Sequence, residues 1–237
     1  MTAMHVKCLW RHPVKSLRGE ELREATLTDD GIVGDRLVHV GGPHGPVTGR
    51  TRHSLLTIPA ATGSDGEPVV CGHRWDSPAA HSIIERCAGS GMELRRYDGP
   101  ERFDVLNLLV ATDSAVAELG ADVRRLRPNI LLGDVPPGAE REWAGKALAI
   151  GDALIGILNL RQRCIVTTID LDTGAQDLDV LLRIREHFAT RIALNCWVIK
   201  PGTIRVGDTA TLTDAAEEPA SAGGWIVGAP YRVESSS

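Results

Sequence analysis

The chain has 237 residues, of which 43% are hydrophobic and 24% are charged, with 25 glycines and 13 prolines. This composition is typical of a globular protein rich in turns, and it excludes a largely disordered chain. The formal net charge of −5 argues against a general binder of nucleic acid or anionic membranes. There is no apolar run of transmembrane length and no apolar core of a signal peptide, so we expect a cytoplasmic protein that does not bind membranes.

The first part of the chain reads as a β-rich region, which we assign to residues 1–100. Alternation of apolar and polar residues predicts three strands, at residues 5–10, 21–28 and 36–40. A Gly/Pro stretch at 41–46 joins two extended segments, and Ser64-Asp65-Gly66 indicates a hairpin-like turn. Residues 81–88 are compatible with a short helix. Asp98-Gly99-Pro100 marks a turn that we take as the domain boundary.

The second part, assigned to residues 101–214, begins with a buried strand followed by a capped helix. The largely apolar segment 106–111 predicts the strand. Thr112 can cap a helix whose apolar stripe is Ala115, Val116 and Leu119, and Gly120 ends that helix.

Two similar strand–turn–strand patterns follow, at 148–158 and 203–212, each broken by Gly-Asp, and both predict hairpins. Between them, residues 176–188 form the best amphipathic helix of the chain. The apolar face of this helix is predicted to be Leu178, Leu181, Leu182 and Ile184. Residues 215–237 are rich in Ala, Gly and Ser, and we expect them to form a flexible tail.

Most common enzyme and metal-site motifs are missing from the sequence. It has no dinucleotide fingerprint, no phosphate loop and no nucleophile elbow. Five scattered cysteines without a Cys-x-x-Cys pair indicate neither a disulfide framework nor a zinc ribbon. Because His39, His44 and His53 lack helical metal-ligand spacing, we interpret them as solvated or structural.

Cys164 has a different setting from the other cysteines, because it directly follows Arg163 and begins a β-branched run. A neighbouring guanidinium favours the thiolate, which is a nucleophile and a soft metal ligand. A buried strand cysteine is an equally good interpretation of the same residues.

Three cations, Lys15, Arg36 and Arg127, stand beside Gly, Pro or Ser turns in this acidic chain, and a fourth, Arg163, directly precedes Cys164. Cations at loop edges suit a small anionic ligand, since Arg offers a planar fork to phosphate and Lys a point charge. Each of them taken alone is better explained as an ordinary surface or ion-paired residue.

Several short motifs occur together in a recognisable order. They are Pro13-Val14-Lys15-Ser16, Gly34-Asp35-Arg36, Arg127-Pro128-Asn129, Arg163-Cys164 with Thr167-Thr168-Ile169-Asp170, and Pro201-Gly202-Thr203-Ile204 with Gly207-Asp208. In this order the sequence resembles the MOSC domain family (molybdenum cofactor sulfurase C-terminal) over roughly residues 6–212. The resemblance implies a β-dominated α+β fold, with an N-terminal β-barrel-like region packed on a MOSC β-barrel with short helices.

The resemblance also implies a cofactor and a site. Cys164 matches the cysteine that binds molybdenum as a thiolate and would be the catalytic and metal-binding residue. Residues matching positions that hold the pterin and its phosphate, the last two by looser alignment, are Lys15, Ser16, Arg36, Arg127, Asn129, Arg163, Asp104 and Thr112. Arg50 matches a recurrent arginine whose role we leave open. Where several relatives place a further cysteine, this chain has residues 159–162.

The implied function is a molybdenum cofactor (molybdopterin) oxidoreductase that reduces N-hydroxylated compounds such as amidoximes or hydroxylamines. Its implied partners are that small substrate and a separate electron donor of the ferredoxin, flavodoxin or cytochrome type with its reductase. Two alternatives remain: a carrier that binds the cofactor without turnover, and a metal-free sulfur-transfer enzyme with a persulfide on Cys164.

Overall fold

The computed structural model describes residues 3–97 and 102–214. Strands dominate the described residues, and the three α-helices among them are short. The β-dominated α+β class predicted from the sequence is therefore confirmed. The predicted boundary at Asp98-Gly99-Pro100 and the predicted tail at 215–237 lie outside the described residues.

The elements of the first part are nine short strands, one helix and the strand that follows it. They are β1 (His5–Arg11), β2 (Glu20–Leu22), β3 (Glu24–Thr28), β4 (Gly31–Ile32), β5 (Val38–Gly42), β6 (Gly45–Val47), β7 (Ala60–Thr62), β8 (Pro68–Val70), β9 (His73–Arg74), α1 (Pro78–Ala88) and β10 (Glu93–Arg96).

The second part holds longer strands and two helices. They are β11 (Leu108–Thr112), α2 (Asp113–Leu119), β12 (Ile130–Gly133), β13 (Ala147–Ile150), β14 (Ala153–Gln162), α3 (Leu178–Phe188), β15 (Arg191–Lys200), β16 (Gly202–Arg205) and β17 (Ala210–Thr213). Single-turn 3-10 helices occupy His53–Thr57, Val123–Leu126, Ala139–Glu142 and Ile165–Thr168.

The largest sheet has eight strands in the order β17-β13-β14-β15-β11-β12-β1-β2. In addition to pairing with β12 and β2, β1 forms backbone hydrogen bonds at its start with the segment that leads into β17. The amide of Val6 donates to the carbonyl of Asp208 at 2.9 Å, and the amide of Ala210 donates to the carbonyl of Met4 at 2.8 Å. These bonds close the sheet into a barrel whose interior is apolar, with Val6 and Leu9 fully buried in it.

The remaining strands form three small three-stranded sheets. The sheet β10-β5-β6 and the sheet β7-β8-β9 pack with α1 around the apolar side chains of Val38, Leu55 and Ile84. The third sheet, β16-β3-β4, mixes strands from both ends of the chain. Strands of the first and second parts therefore lie side by side in the same sheets.

Most sequence predictions of elements are confirmed with small shifts. The predicted strand at 21–28 is interrupted at Arg23 between β2 and β3, and the one at 36–40 begins only at Val38 because Arg36 is left-handed with φ 53°. Thr112 caps α2, since its hydroxyl accepts the amide of Ala115, and Gly120 ends the helix at φ 62°.

Two predictions are wrong. Strands β16 and β17 do not form a hairpin, because β16 pairs with β3 while β17 pairs with β13, so the Gly207-Asp208 turn leads from one sheet to another. The apolar face of α3 is wrong at two positions: Leu178 and Leu182 are exposed, and the helix packs through Val180, Phe188 and the correctly predicted Ile184. No helix in residues 3–97 or 102–214 combines the length and the apolarity needed to cross a membrane.

Candidate functional site

A cavity of about 260 Å³ lies where the first part of the chain meets the barrel. Both parts contribute charged or polar side chains to its wall. The first part gives Lys15, Ser16, Arg36 and Arg50, and the second part gives Asp104, Arg127, Asn129, Arg161, Arg163, Cys164 and Asn195. Since six of these side chains are cationic and one is a carboxylate, the wall is suited to an anionic ligand.

Three of these residues have left-handed backbones although none is glycine. The φ angles are 72° at Ser16, 53° at Arg36 and 55° at Arg127. Such conformations are unfavourable for residues with a Cβ and persist where surrounding structure enforces them. Each of these residues lies at a turn that ends or precedes a regular element, so the turns place these side chains on the wall of the cavity.

Arg127 lies deep in the wall, and both its Nη1 and Nη2 are buried without a hydrogen-bond partner among the described residues. Burial, and then the nearby charge of Arg36, lowers the pKa of Arg127 to about 9. A guanidinium in this state is destabilised by desolvation until an acceptor reaches it. An anion in the cavity would supply both the missing charge and the missing acceptors.

Arg163 lies beside it in a similar environment. Its Nη2 donates to the carbonyl of Leu126 at 2.6 Å, while its Nε is buried without a partner among the described residues. Burial, and then the charge of Arg161, lowers the pKa of Arg163 to about 9. Burial therefore destabilises the charged form of two neighbouring guanidiniums at this end of the cavity.

Asp104 binds three of the remaining cations. Its Oδ1 lies 3.1 Å from Lys15 Nζ, and its Oδ2 lies 3.0 Å from Arg50 Nη2 and 3.2 Å from Arg161 Nη2. Burial alone would raise the pKa of Asp104, but the three cations outweigh it and hold the pKa below its usual range. Asp104 thus stays ionised and arranges the outer cations into one cluster.

Cys164 ends this wall at the point where β14 gives way to the 3-10 helix Ile165–Thr168. Its carbonyl accepts both the amide of Thr167 at 3.1 Å and the hydroxyl of Thr167 at 2.9 Å, which fixes the turn. The residue is partly exposed and lines the cavity beside Arg163. Among the described cavity-lining residues it is the one cysteine.

The other four cysteines do not line the cavity. Cys196 is fully buried inside the barrel, and burial raises the pKa of its thiol. Burial also raises the pKa of Cys8 and of Cys71. No cluster of three or more His, Cys, Asp or Glu side chains in residues 3–97 and 102–214 could hold a metal ion. A metal at Cys164 would need most of its ligands from a chelating cofactor.

The structure brings most of the residues singled out in the sequence to one cavity. Thr112 is the exception: it is buried at the N-terminus of α2, where its hydroxyl accepts an amide of the first turn, and it does not line the cavity. The others line it, but Asn129 makes hydrogen bonds to protein groups through both ends of its amide.

Two wall residues, Arg161 and Asn195, did not emerge from the motifs. Arg161 Nη1 donates to Asn195 Oδ1 at 3.2 Å, and Asn195 Nδ2 donates to Asn159 Oδ1 at 2.7 Å. A signal for Arg161 existed, because Asn159 and Arg161 lie two residues apart in β14 and Arg163 follows the strand at the same spacing.

Comparison with known proteins matches both parts of the chain to family models. Residues 3–70 match the MOSC N-terminal beta barrel domain, and residues 108–211 match the MOSC domain. This chain belongs to the MOSC domain family. The resemblance and the N-terminal barrel-like region predicted from the motifs are confirmed.

Relatives of this MOSC protein include the mitochondrial amidoxime-reducing component 1 of Mus musculus and of Homo sapiens. Each is 24% identical, over 86% of this chain and 81% of the relative. The crystal structure of the YuaD protein from Bacillus subtilis superposes with a TM-score of 0.52 at 12% identity, covering 91% of this chain and 98% of that one. The structural likeness supports the fold.

Proposed function

We propose that this MOSC protein binds a molybdenum cofactor in the cavity and reduces N-hydroxylated compounds, such as amidoximes or hydroxylamines. The observation that carries the proposal is that Nη1 and Nη2 of Arg127 are buried without a hydrogen-bond partner among the described residues, in the same cavity wall as Cys164. The name of the two curated relatives, amidoxime-reducing component, supports the choice of reaction.

The residues of the wall fit the two ends of such a cofactor. The terminal phosphate of a molybdopterin needs cations and donors, which Arg127, Arg36 and Lys15 offer. The metal needs one soft ligand from the protein, which the thiolate of Cys164 offers. When bound, the cofactor supplies its own dithiolene ligands and two-electron redox chemistry at molybdenum.

The chain's own residues would bind and orient the cofactor and shield it from solvent. Asp104 keeps Lys15, Arg50 and Arg161 in place through ion pairs on one side of the cavity. Partial exposure of Cys164 leaves room for a small substrate to approach. Cleavage of one N–O bond consumes two electrons and two protons and releases water, so a separate electron-donor protein must bring the electrons.

The test is the molybdenum and pterin content of the full chain, produced in a host that makes the cofactor. We expect close to one molybdenum and one pterin per polypeptide, and reduction of a hydroxylamine when a donor protein and its reductase are added. Cys164→Ala should lose the metal and the turnover because the thiolate ligand is gone. Cys71→Ala, at an exposed cysteine away from the cavity, is the matched control.

The alternatives give different results. Molybdenum and pterin without turnover on any N-hydroxylated compound would make the protein a cofactor carrier. Absence of molybdenum together with a persulfide on Cys164 would make it a sulfur-transfer enzyme. Either result, or unchanged metal and rate in Cys164→Ala, contradicts the proposed function.

A further inference from the structure

Asp35 is a buried carboxylate next to the cavity that the proposed function does not use. Its side chain is fully buried, and it is not part of the cavity wall. It accepts hydrogen bonds from two other segments of the chain and from the side chain of Arg36, the residue that follows it. Its Oδ1 accepts the amide of His12 at 2.7 Å, and its Oδ2 accepts Asn129 Nδ2 at 3.2 Å and the guanidinium of Arg36.

These three donors belong to both parts of the chain. His12 and Arg36 come from the first part, and a further bond ties them together, since the amide of Arg36 donates to the carbonyl of His12 at 2.7 Å. Asn129 belongs to the segment that enters β12 of the barrel. Asp35 therefore joins the two halves of the cavity wall at one point.

Asn129 continues the connection into the barrel. Its Oδ1 accepts the amide of Leu109 at 3.1 Å, and its Nδ2 also donates to the carbonyl of Trp10 at 3.4 Å. Because both ends of its amide are bonded to protein, Asn129 links Asp35 to the strands of the barrel. Arg127, two residues earlier, is held in its left-handed conformation on the same short segment.

We propose that Asp35 is a positioning residue, which fixes the side chain of Arg36 and the segment 127–129 in the arrangement that receives the phosphate group of a ligand. A buried carboxylate is unfavourable unless it is fully paired, and Asp35 meets that condition only when the segments of His12 and Asn129 are both in place. The arrangement of the cations is thereby tied to the docking of the two parts of the chain. This inference rests on the proposed function in that the cavity binds a phosphate.

An electrostatic role and a positioning role of Asp35 predict opposite changes in anion binding when the carboxylate is removed. If Asp35 contributed only its negative charge, its loss would strengthen the binding of an anion to the neighbouring cations. If it positions Arg36 and Asn129, its loss weakens anion binding although the site becomes more positive. The sign of the change therefore separates a positioning role from a purely electrostatic one.

The experiment is calorimetric titration of the cofactor-free full chain with inorganic phosphate at constant ionic strength. We expect Asp35→Asn to weaken phosphate binding at least about tenfold, the size of losing one charge-assisted hydrogen bond. The control is Glu140→Gln, because Glu140 is another buried carboxyl but does not line the cavity. It should bind phosphate like the wild type, even if its stability falls by as much.

Asn129→Ala provides a second variant if Asp35→Asn does not fold. It breaks the bond between Asp35 and the barrel while keeping the carboxylate, and weaker phosphate binding is again expected. Unchanged or tighter binding in the folded variant overturns the positioning role and leaves the proposed function standing. Failure of the wild-type chain to bind phosphate overturns both.

Discussion

The side chain of Arg127 lowers the stability of the ligand-free chain and, in the proposed function, binds the ligand. The Nη1 and Nη2 of its guanidinium are buried without an acceptor among the described residues, and burial lowers its pKa to about 9. Such a group lowers the stability of the ligand-free chain, because the nearby carboxylates of Asp35 and Asp104 offset only part of the desolvation of its charge. A residue of this kind persists where a ligand requires it.

Arg127→Met should therefore raise stability and reduce anion affinity together. We expect the free energy of unfolding of the cofactor-free chain to rise by about 1–3 kcal/mol. Phosphate affinity should fall by about tenfold or more as a charge-assisted bond is lost. Denaturant unfolding and calorimetry measure the two effects, and Arg74→Met, at an exposed ion-paired arginine, should change neither appreciably. A loss of stability in Arg127→Met would show that the guanidinium has a partner in solution.

His12 makes the stability of the fold depend on pH, and the direction of this dependence follows from its pKa. Burial, followed by the charges of Arg127 and Arg36, lowers the pKa of His12 well below 6.5, while its Nε2 faces the carbonyl of Pro128 at 3.3 Å. Below pH 6.5 the unfolded chain takes up a proton at this residue and the folded chain does not. Acidification thus favours unfolding, and the contribution of His12 to stability is fully present only above pH 6.5.

We expect the free energy of unfolding to fall by up to about 1.4 kcal/mol per pH unit below pH 6.5 on account of His12. His12→Gln retains a donor for the Pro128 carbonyl but cannot titrate, so its stability should depend less on pH. Denaturant unfolding between pH 5 and 7.5 compares the two, with His73→Gln at an exposed histidine as control. Parallel pH profiles for the wild type and His12→Gln would contradict this assignment.

At the scale of single elements, local signals were reliable where the responsible interactions are themselves local. The cap and stop of α2 depend on Thr112 and Gly120, a few residues apart, and both are confirmed. In α3 the sequence offers two apolar ridges with four-residue spacing, one through Leu178 and Leu182 and one through Val180 and Ile184. Only the packing of the helix on the barrel decides between them, so the extent of α3 was predictable and its buried face was not.

Strand pairing shows the same limit at longer range. The Gly151-Asp152 turn does join the paired strands β13 and β14, whereas the similar Gly207-Asp208 turn joins strands of different sheets. The partners of β16 and β17 are β3 and β13, and those choices depend on residues far away in the chain. The cavity was predictable as a set of motifs, but Arg161 and Asp35 gain their roles only through contacts between distant segments.

At the scale of the whole molecule, the two matched family domains are joined through shared sheets. Strand β1 belongs to the N-terminal part by sequence, yet it pairs with β12 and bonds to the segment leading into β17. It also contributes Val6 and Leu9 to the interior of the barrel. The same strand then leads directly into His12, Lys15 and Ser16, so closure of the barrel places the first half of the cavity wall.

A fragment of residues 102–237 should therefore fail to fold on its own. Without β1, the barrel has an unpaired edge at β12 and an opening beside β17, and its core lacks two fully buried side chains. We expect no cooperative thermal transition from this fragment by circular dichroism, and recovery of the transition and of phosphate binding when residues 1–101 are added in equimolar amount. Cooperative unfolding of the fragment alone would show that the MOSC barrel closes without β1. The cation cavity would then be an interface between two independent domains, and not a consequence of barrel closure.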